Sequence, residues 1–280
     1  MAFNNLLIQR DLKIEASIED LFVFAKERES IRKKKDAGHP QDTWTEDVML
    51  KTGRFINIFR EDDKTTKVIF DAAKAVEGRE RWRAIFIGRY INRVDRLSVL
   101  YPLQDNLSDQ LIATVNPDIA ITNACAYQLH SGIGKIFKVK GAKTAVHHLD
   151  GTIDATYEAI QSATNIVEGT AAVNKAFGGY INFMAYQCVL DWAQVNEVNS
   201  LLISDPYEGI GASATGSAVG LDARGIAEAQ PIHWPDAKRK MLPFDAENLM
   251  CEFRKYHKRK QDGIQSATSK YKPNFLGAAE

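Results

Sequence analysis

Cysteine is scarce in this 280-residue chain, which holds three. Cys125, Cys188 and Cys251 are widely spaced and odd in number, which excludes a disulfide framework; each sits in an apolar helical setting suited to a buried, inert thiol. No CxxC or HExxH pattern occurs, and the adjacent His147 and His148 cannot share one helix face, so no metal site is expected. Long apolar runs are missing too. Nothing approaches the ~18 residues of a membrane-spanning helix. Met1-Ala2-Phe3-Asn4-Asn5 has neither the basic nor the apolar region of a secretory signal. A soluble, cytoplasmic protein without a membrane partner is the expectation. An excess of one charge is also absent, since 36 Lys and Arg balance 36 Asp and Glu. That balance hides three basic clusters: Lys26, Arg28, Arg32, Lys33, Lys34 and Lys35; Arg79, Arg81, Arg83, Arg89, Arg93 and Arg96; and Arg254, Lys255, Lys258, Arg259 and Lys260. Such clusters either neutralise phosphates or form solvated helix faces.

What is present is helical periodicity. Leu21, Phe22, Phe24, Ala25 and Ile31 form an apolar stripe over residues 18–35, ended by Gly38-His39-Pro40. Thr45 reads as an N-cap for a helix over residues 48–54. Further helices are predicted over 63–76, 81–93, 142–149, 152–165, 168–177, 183–195 and 246–260. Lys135-Ile136-Phe137-Lys138-Val139-Lys140 alternates like a strand before Gly141. Residues 205–225, rich in Gly, Ala and Ser, read as a loop with close backbone approach. The fold class is mainly α, with at most a short β-hairpin. One domain over residues 1–280, divisible into two lobes around a cleft, ends in a polar tail at 261–280.

Three constellations could carry chemistry. Ala176-Phe177-Gly178-Gly179-Tyr180-Ile181-Asn182 is a helix, a glycine turn and a second helix, the build of helix-hairpin-helix units that hold a DNA phosphate without reading sequence. Glycosylases of that class place a catalytic aspartate some way beyond the second helix, which nominates Asp205, with Asp191 closer. A plain connection is the alternative. Gly209-Ile210-Gly211-Ala212-Ser213-Ala214-Thr215-Gly216-Ser217 lacks the lysine of an ATP-binding P-loop, although such a loop can present N–H groups to an anion. Around Phe55 and Phe59, Arg54, Asn57, Arg60, Glu61 and Asp63 make a dense polar set: either an Arg–Asp structural network, or an arginine clamp with a carboxylate base.

Taken in order, these segments resemble one family. Arg32 through Gly38, Pro40, Trp44-Thr45-x-Asp47 and Arg54-Phe55-x-Asn57-x-x-Arg60-x-x-Asp63 match its opening. Phe86-x-x-Arg89-x-x-Asn92, Gly179 through Asp191, Gly209-x-Gly211-Ala212 through Gly220-Leu221, and Glu247 through Tyr256 follow. The chain resembles the α-glutamyl/putrescinyl-thymine pyrophosphorylase family of bacteriophages, related to the helical domain of 5-hydroxymethyluracil DNA kinases, over roughly residues 18 to 260. Ile210 and Thr215 depart from it, standing for a usual proline and arginine. The resemblance implies a helix-hairpin-helix, DNA glycosylase-like fold in the infected host cytoplasm. It also implies an amine:DNA transferase that replaces pyrophosphate on 5-pyrophosphoryloxymethyl-deoxyuridine with an amino acid or polyamine. No cofactor is implied, although Mg²⁺ suits the pyrophosphate. Double-stranded DNA with a modified, flipped-out pyrimidine and an amine are the implied partners.

In that reading Arg54, Asn57, Arg60, Arg89 and Arg93, with Gly209 and Gly211, hold the pyrophosphate. Asp63, Asp47, Asp191 or Asp205 takes the amine's proton. Trp44, Gly178, Gly179, Tyr180, Asn182 and Lys255 contact DNA, with Trp44, Tyr127 or Tyr180 stacking on the base. A glycosylase or lyase acting on a modified base, and a non-catalytic DNA-binding accessory module, are the competing readings.

Overall fold

Ser17 opens the first helix by a reciprocal cap. The Asp20 amide donates to its hydroxyl at 3.2 Å, while the Asp20 carboxylate accepts from the Ser17 amide at 2.8 Å. The computed structural model describes residues 14–107, 109–110, 148–179 and 181–262. Helix α1 (Ile18–Asp36) buries Leu21, Phe22, Phe24, Ala25 and Ile31, the predicted stripe, and Arg28 and Glu29 with them. Helix α2 (Val48–Thr52) is capped by Asp47, not Thr45: Asp47 Oδ1 accepts from the Met49 and Leu50 amides at 2.8 and 3.0 Å. Thr45 instead accepts from the Asp47 amide, which presents that carboxylate to the helix. The helix stops before Gly53, shorter than its apolar pattern suggests.

Helices α3 (Lys64–Lys74), α4 (Gly78–Ile91), α5 (Val94–Leu100), α6 (Ile153–Gln161), α7 (Ile166–Ala176), α8 (Asn182–Val195) and the short α9 (Asn199–Leu202) supply most of one buried cluster. Its centre is aromatic. Trp82, Phe86, Tyr90, Phe177 and Trp192 pack with neighbouring ring centroids 5.0–5.8 Å apart, in the tilted or edge-on arrangements that aromatic rings favour. A second buried cluster joins α1 and α2 to α10 (Ile210–Val219), α11 (Ala223–His233) and α12 (Pro243–Asp262), with Phe24, Phe59, Trp234, Phe253 and Tyr256 inside it. No strand occurs among the described residues, so the fold is mainly α. No helix among them is long and apolar enough to cross a membrane. The alternating stretch 135–140 and Tyr127 lie outside the described residues. So does the tail from residue 263, whereas 261 and 262 belong to α12.

The glycine-rich stretch is the clearest correction. Residues 210–219 are helix, not loop. A Cβ on Gly216 would stand 2.9 Å from the Leu221 carbonyl oxygen and 3.0 Å from Met250, and one on Gly211 would stand 3.2 Å from Cys251 Sγ. The small residues let α10 lie directly on α12. Close backbone approach is present, against a helix instead of an anion. Thr215, fully buried, completes the seam by donating its hydroxyl to the Met250 carbonyl at 2.8 Å.

Candidate active site

Residues 54–63 are mostly irregular, and polar side chains from α1 and α12 hold their backbone. Arg28 donates to the Phe55 and Ile56 carbonyls at 3.3 Å each, Asn248 to the Asn57 and Ile58 carbonyls at 2.8 and 3.0 Å, and Arg259 to the Arg54 carbonyl at 2.7 Å. Ile58 and Phe59 sink into the second cluster, which turns Arg60 toward the first. There its Nε and one terminal nitrogen reach Asp191 Oδ1 at 3.0 and 2.8 Å; the latter also donates to the Gln187 carbonyl at 3.0 Å. Arg89 of α4 closes on Asp191 from another side, at 2.7 and 2.9 Å, and also donates to Thr66 and Asn92. Asp191 and Arg89 are completely buried. A carboxylate so far from water needs this pairing, and its two oxygens receive four guanidinium donors.

Sequence reasoning expected Arg60 and Arg89 to grip a leaving pyrophosphate and offered Asp191 as a base. In the structure each group is buried and bonded to the others, an Arg–Asp network that joins residues 54–63 to α8. Two carboxyls nearby are less committed. Asp63 Oδ1 accepts from the Asn57 amide at 3.2 Å, while Oδ2 is shielded from solvent without a partner. Burial pushes Asp63 up to about 6, against the pull of the Asn57 amide and of Arg89 and Arg60. Glu247 of α12, 7% exposed, accepts from Cys251 Sγ at 3.2 Å. Burial raises it to about 7; the Cys251 contact and Arg60 oppose the rise, and the charges of Glu208 and Glu252 add to it. Tyr186 Oη and Gln187 Oε1, next to one another on α8, are buried without hydrogen-bond partners. The Tyr186 ring centroid lies 6.1 Å from that of Tyr207, which is 40% exposed and leads to the surface. Two carboxyls poised near neutrality and several unspent hydrogen-bonding atoms thus surround Arg60, where the two clusters meet. That is the equipment for moving a proton in a site shielded from water.

Adjacent residues brace this seam. Glu61 takes two bonds from Arg239 at 2.8 and 2.9 Å, and Arg239 also grips the fully buried Asp245. Burial works upward on Glu61, but Arg239 and Lys238 hold it down at about 2. Asp62 pairs with Lys238 at 2.7 Å and faces Arg32 at 3.4 Å.

Residues 15–215 match the family described as 5-hmdU DNA kinase, helical domain. The chain belongs to this family. No curated protein and no solved structure matches it significantly. The match to the kinase helical-domain family runs from just before α1 into α10, and so contains Arg60, Asp63, Arg89 and Asp191. Glu247, Lys255 and Arg259 of α12 lie beyond it.

The other expected residues scatter. Asp47 caps α2 and is bonded by the Tyr256 hydroxyl, with Lys260 3.8 Å away. Asp205 is exposed and paired at the surface with Arg224. Arg93 pairs with Asp95 at 2.6 Å. Trp44 is 5% exposed, donates from its indole to the His39 carbonyl at 2.8 Å and carries Lys35 over its ring. Gly209 precedes α10, and Gly211 lies within it. The glycine turn is where it was expected. Gly178 and Gly179 adopt φ of 103° and 89°, values that a side chain disfavours, and Asn174 accepts from the Gly179 and Ile181 amides at 2.7 Å each. Asn182 starts α8, exposed, while Tyr180 lies outside the described residues. Sequence patterns assign no individual role to Glu247, Tyr186 or Arg239, and show Arg28 only as one member of a basic cluster. Glu247 left one legible signal, an acid inside the apolar repeat of α12.

Proposed function

We propose that this chain modifies thymine-type bases in DNA by replacing the pyrophosphate of 5-pyrophosphoryloxymethyl-deoxyuridine with an amine. Family membership supports the DNA-modification setting, because the family takes its name from a kinase acting on 5-hmdU DNA. The sequence speaks against phosphorylation by this chain itself: Gly211 to Ser217 lacks the phosphate-loop lysine, and the stretch is helix packed on α12. The observation that carries the transfer reading is the placement of Asp63 and Glu247 beside Arg60, with carboxyls raised to about 6 and about 7.

In the proposed reaction the amine nitrogen bonds to the methylene carbon on C5, the carbon–oxygen bond breaks, and pyrophosphate leaves with that electron pair. A carboxylate takes the proton that the amine sheds. An acid titrating near neutrality suits that role, since a substantial fraction is ionised before attack and it is basic enough to accept. Arg60, fixed by Asp191, is then a positioning residue that sets the field around both carboxyls. The surface around Tyr207, whose ring contacts the buried Tyr186, is the proposed entry for a base turned out of the duplex, at a flipping cost of a few kcal/mol.

The test is a duplex carrying 5-pyrophosphoryloxymethyl-deoxyuridine, incubated with the protein and a panel of amino acids and polyamines. Pyrophosphate release should match the appearance of a heavier nucleoside by mass spectrometry. Free base, abasic sites or no product across the panel from folded protein would refute the reading.

A further inference from the structure

With Arg60 and Arg89 spent on Asp191, the phosphate-binding cations must be sought elsewhere, and one group of basic side chains stands out. Three of them converge on the ring of Phe55. Arg28 Cζ lies 5.0 Å from the ring centroid, Arg259 Cζ 4.7 Å and Lys255 Nζ 5.3 Å. They come from both ends of the chain, α1 and α12, and the sequence makes room for them. A Cβ on Gly53 would stand 2.7 Å from the Phe55 ring and 2.9 Å from Arg259 Nη1. Glu252 is the carboxylate bonded among them, and it is already divided between Lys255 at 2.9 and 3.0 Å and the Ile56 amide at 3.1 Å.

Arg28 supplies the second, independent observation. It is 3% exposed, and its Nε and Nη1 are buried without hydrogen-bond partners. A guanidinium has five donors in a fixed fork, suited to bidentate contact with phosphate, and here part of that fork is unspent. Burial brings Arg28 down to about 10; Glu252 and Asp63 oppose that and Arg259 adds to it. Burial likewise lowers Lys255 and Arg259. All three cations are held where an added anion would be welcome.

We infer that Arg28, Lys255 and Arg259, gathered around Phe55, form a binding site for a phosphate group. The inference rests on the proposed function for its two phosphate sources, a backbone phosphodiester of the duplex or the free diphosphate. Arg28 is buried while Lys255 and Arg259 are partly exposed, so the ligand meets those two first.

Binding tests this without turnover. Fluorescence anisotropy of an unmodified labelled duplex over a salt series, and calorimetry with inorganic pyrophosphate, are run on the wild type, Lys255→Gln, Arg259→Gln and Lys255→Arg. Arg79→Gln serves as a basic control on α4, remote in sequence. If the backbone is the ligand, each glutamine substitution lowers the salt slope by about one. If free diphosphate is the ligand, pyrophosphate affinity falls at least about tenfold, the effect of roughly 1.4 kcal/mol. Lys255→Arg and Arg79→Gln retain binding in either case. Unchanged binding of both ligands by the glutamine variants, no binding by the wild type, or equal loss in Lys255→Arg would overturn the inference. Absent transfer activity with these binding results intact would instead count against the proposed reaction alone.

Discussion

Replacing Asp191 with alanine strands two buried guanidiniums at once. Asp191 accepts Arg60 at 2.8 and 3.0 Å and Arg89 at 2.7 and 2.9 Å, and no water reaches it or Arg89. Removing one partner of a buried ion pair costs about 3–5 kcal/mol, because the remaining charges lose their hydrogen-bonded carboxylate without regaining solvent. At about 2–4 °C per kcal/mol for a chain of this size class, the unfolding midpoint should drop by roughly 6–20 °C. Urea unfolding followed by circular dichroism measures the free energy directly, and an unchanged slope would show that the unfolded state is not responsible. The exposed Arg224–Asp205 pair is the internal comparison; Arg224→Gln should cost less than about 1 kcal/mol. An Asp191→Ala loss as small as that would refute the claim that this network is buried and holds residues 54–63 to α8.

Glu247→Gln should separate stability from activity. The folded carboxyl sits near 7, above its ordinary value, so it stabilises the fold most below pH ~4.5 and loses that contribution as pH rises to about 7. The glutamine variant should therefore be more stable than wild type at pH 8 by a few kcal/mol, with no advantage at pH 4, and be impaired in transfer; equal melting at both pH values would contradict the burial argument. Glu61 behaves oppositely. Held at about 2, it contributes stability above its unfolded value that is lost as pH falls toward 2, so Arg239→Leu should flatten the acid limb of the stability profile. Gly216→Ala should destabilise by about 1–3 kcal/mol, since the new methyl meets the Leu221 carbonyl at 2.9 Å; a neutral result would mean that α10 rides farther from α12 than described.

Periodicity made most helices readable, because a stripe such as Leu21, Phe22, Phe24, Ala25 and Ile31 has one low-energy way to leave water. It failed at α10. Gly, Ala and Ser carry no amphipathic signal, and a helix that packs by its backbone looks in sequence like a flexible connection. The dense polar set at residues 54–63 was legible as important, but its direction was not. Arg60 points inward because Asp191 lies 131 residues away, a separation that no local pattern reveals. Asp191 itself gave a clue: an acid in the otherwise apolar α8 implies a buried cation. The Phe55 cluster was half visible, with Arg28 and Arg259 in separate basic runs whose meeting depends on the fold.

Residues 54–63 have a mechanical consequence. They are tethered by Arg259, Asn248 and Arg28 on one flank and by Arg60 to α8 on the other, so any motion that parts the helices around Trp82 from those around Phe253 must pull on this short stretch. Its amides are a built-in strain gauge: their hydrogen exchange, compared with and without duplex, reports whether the two halves separate when DNA arrives.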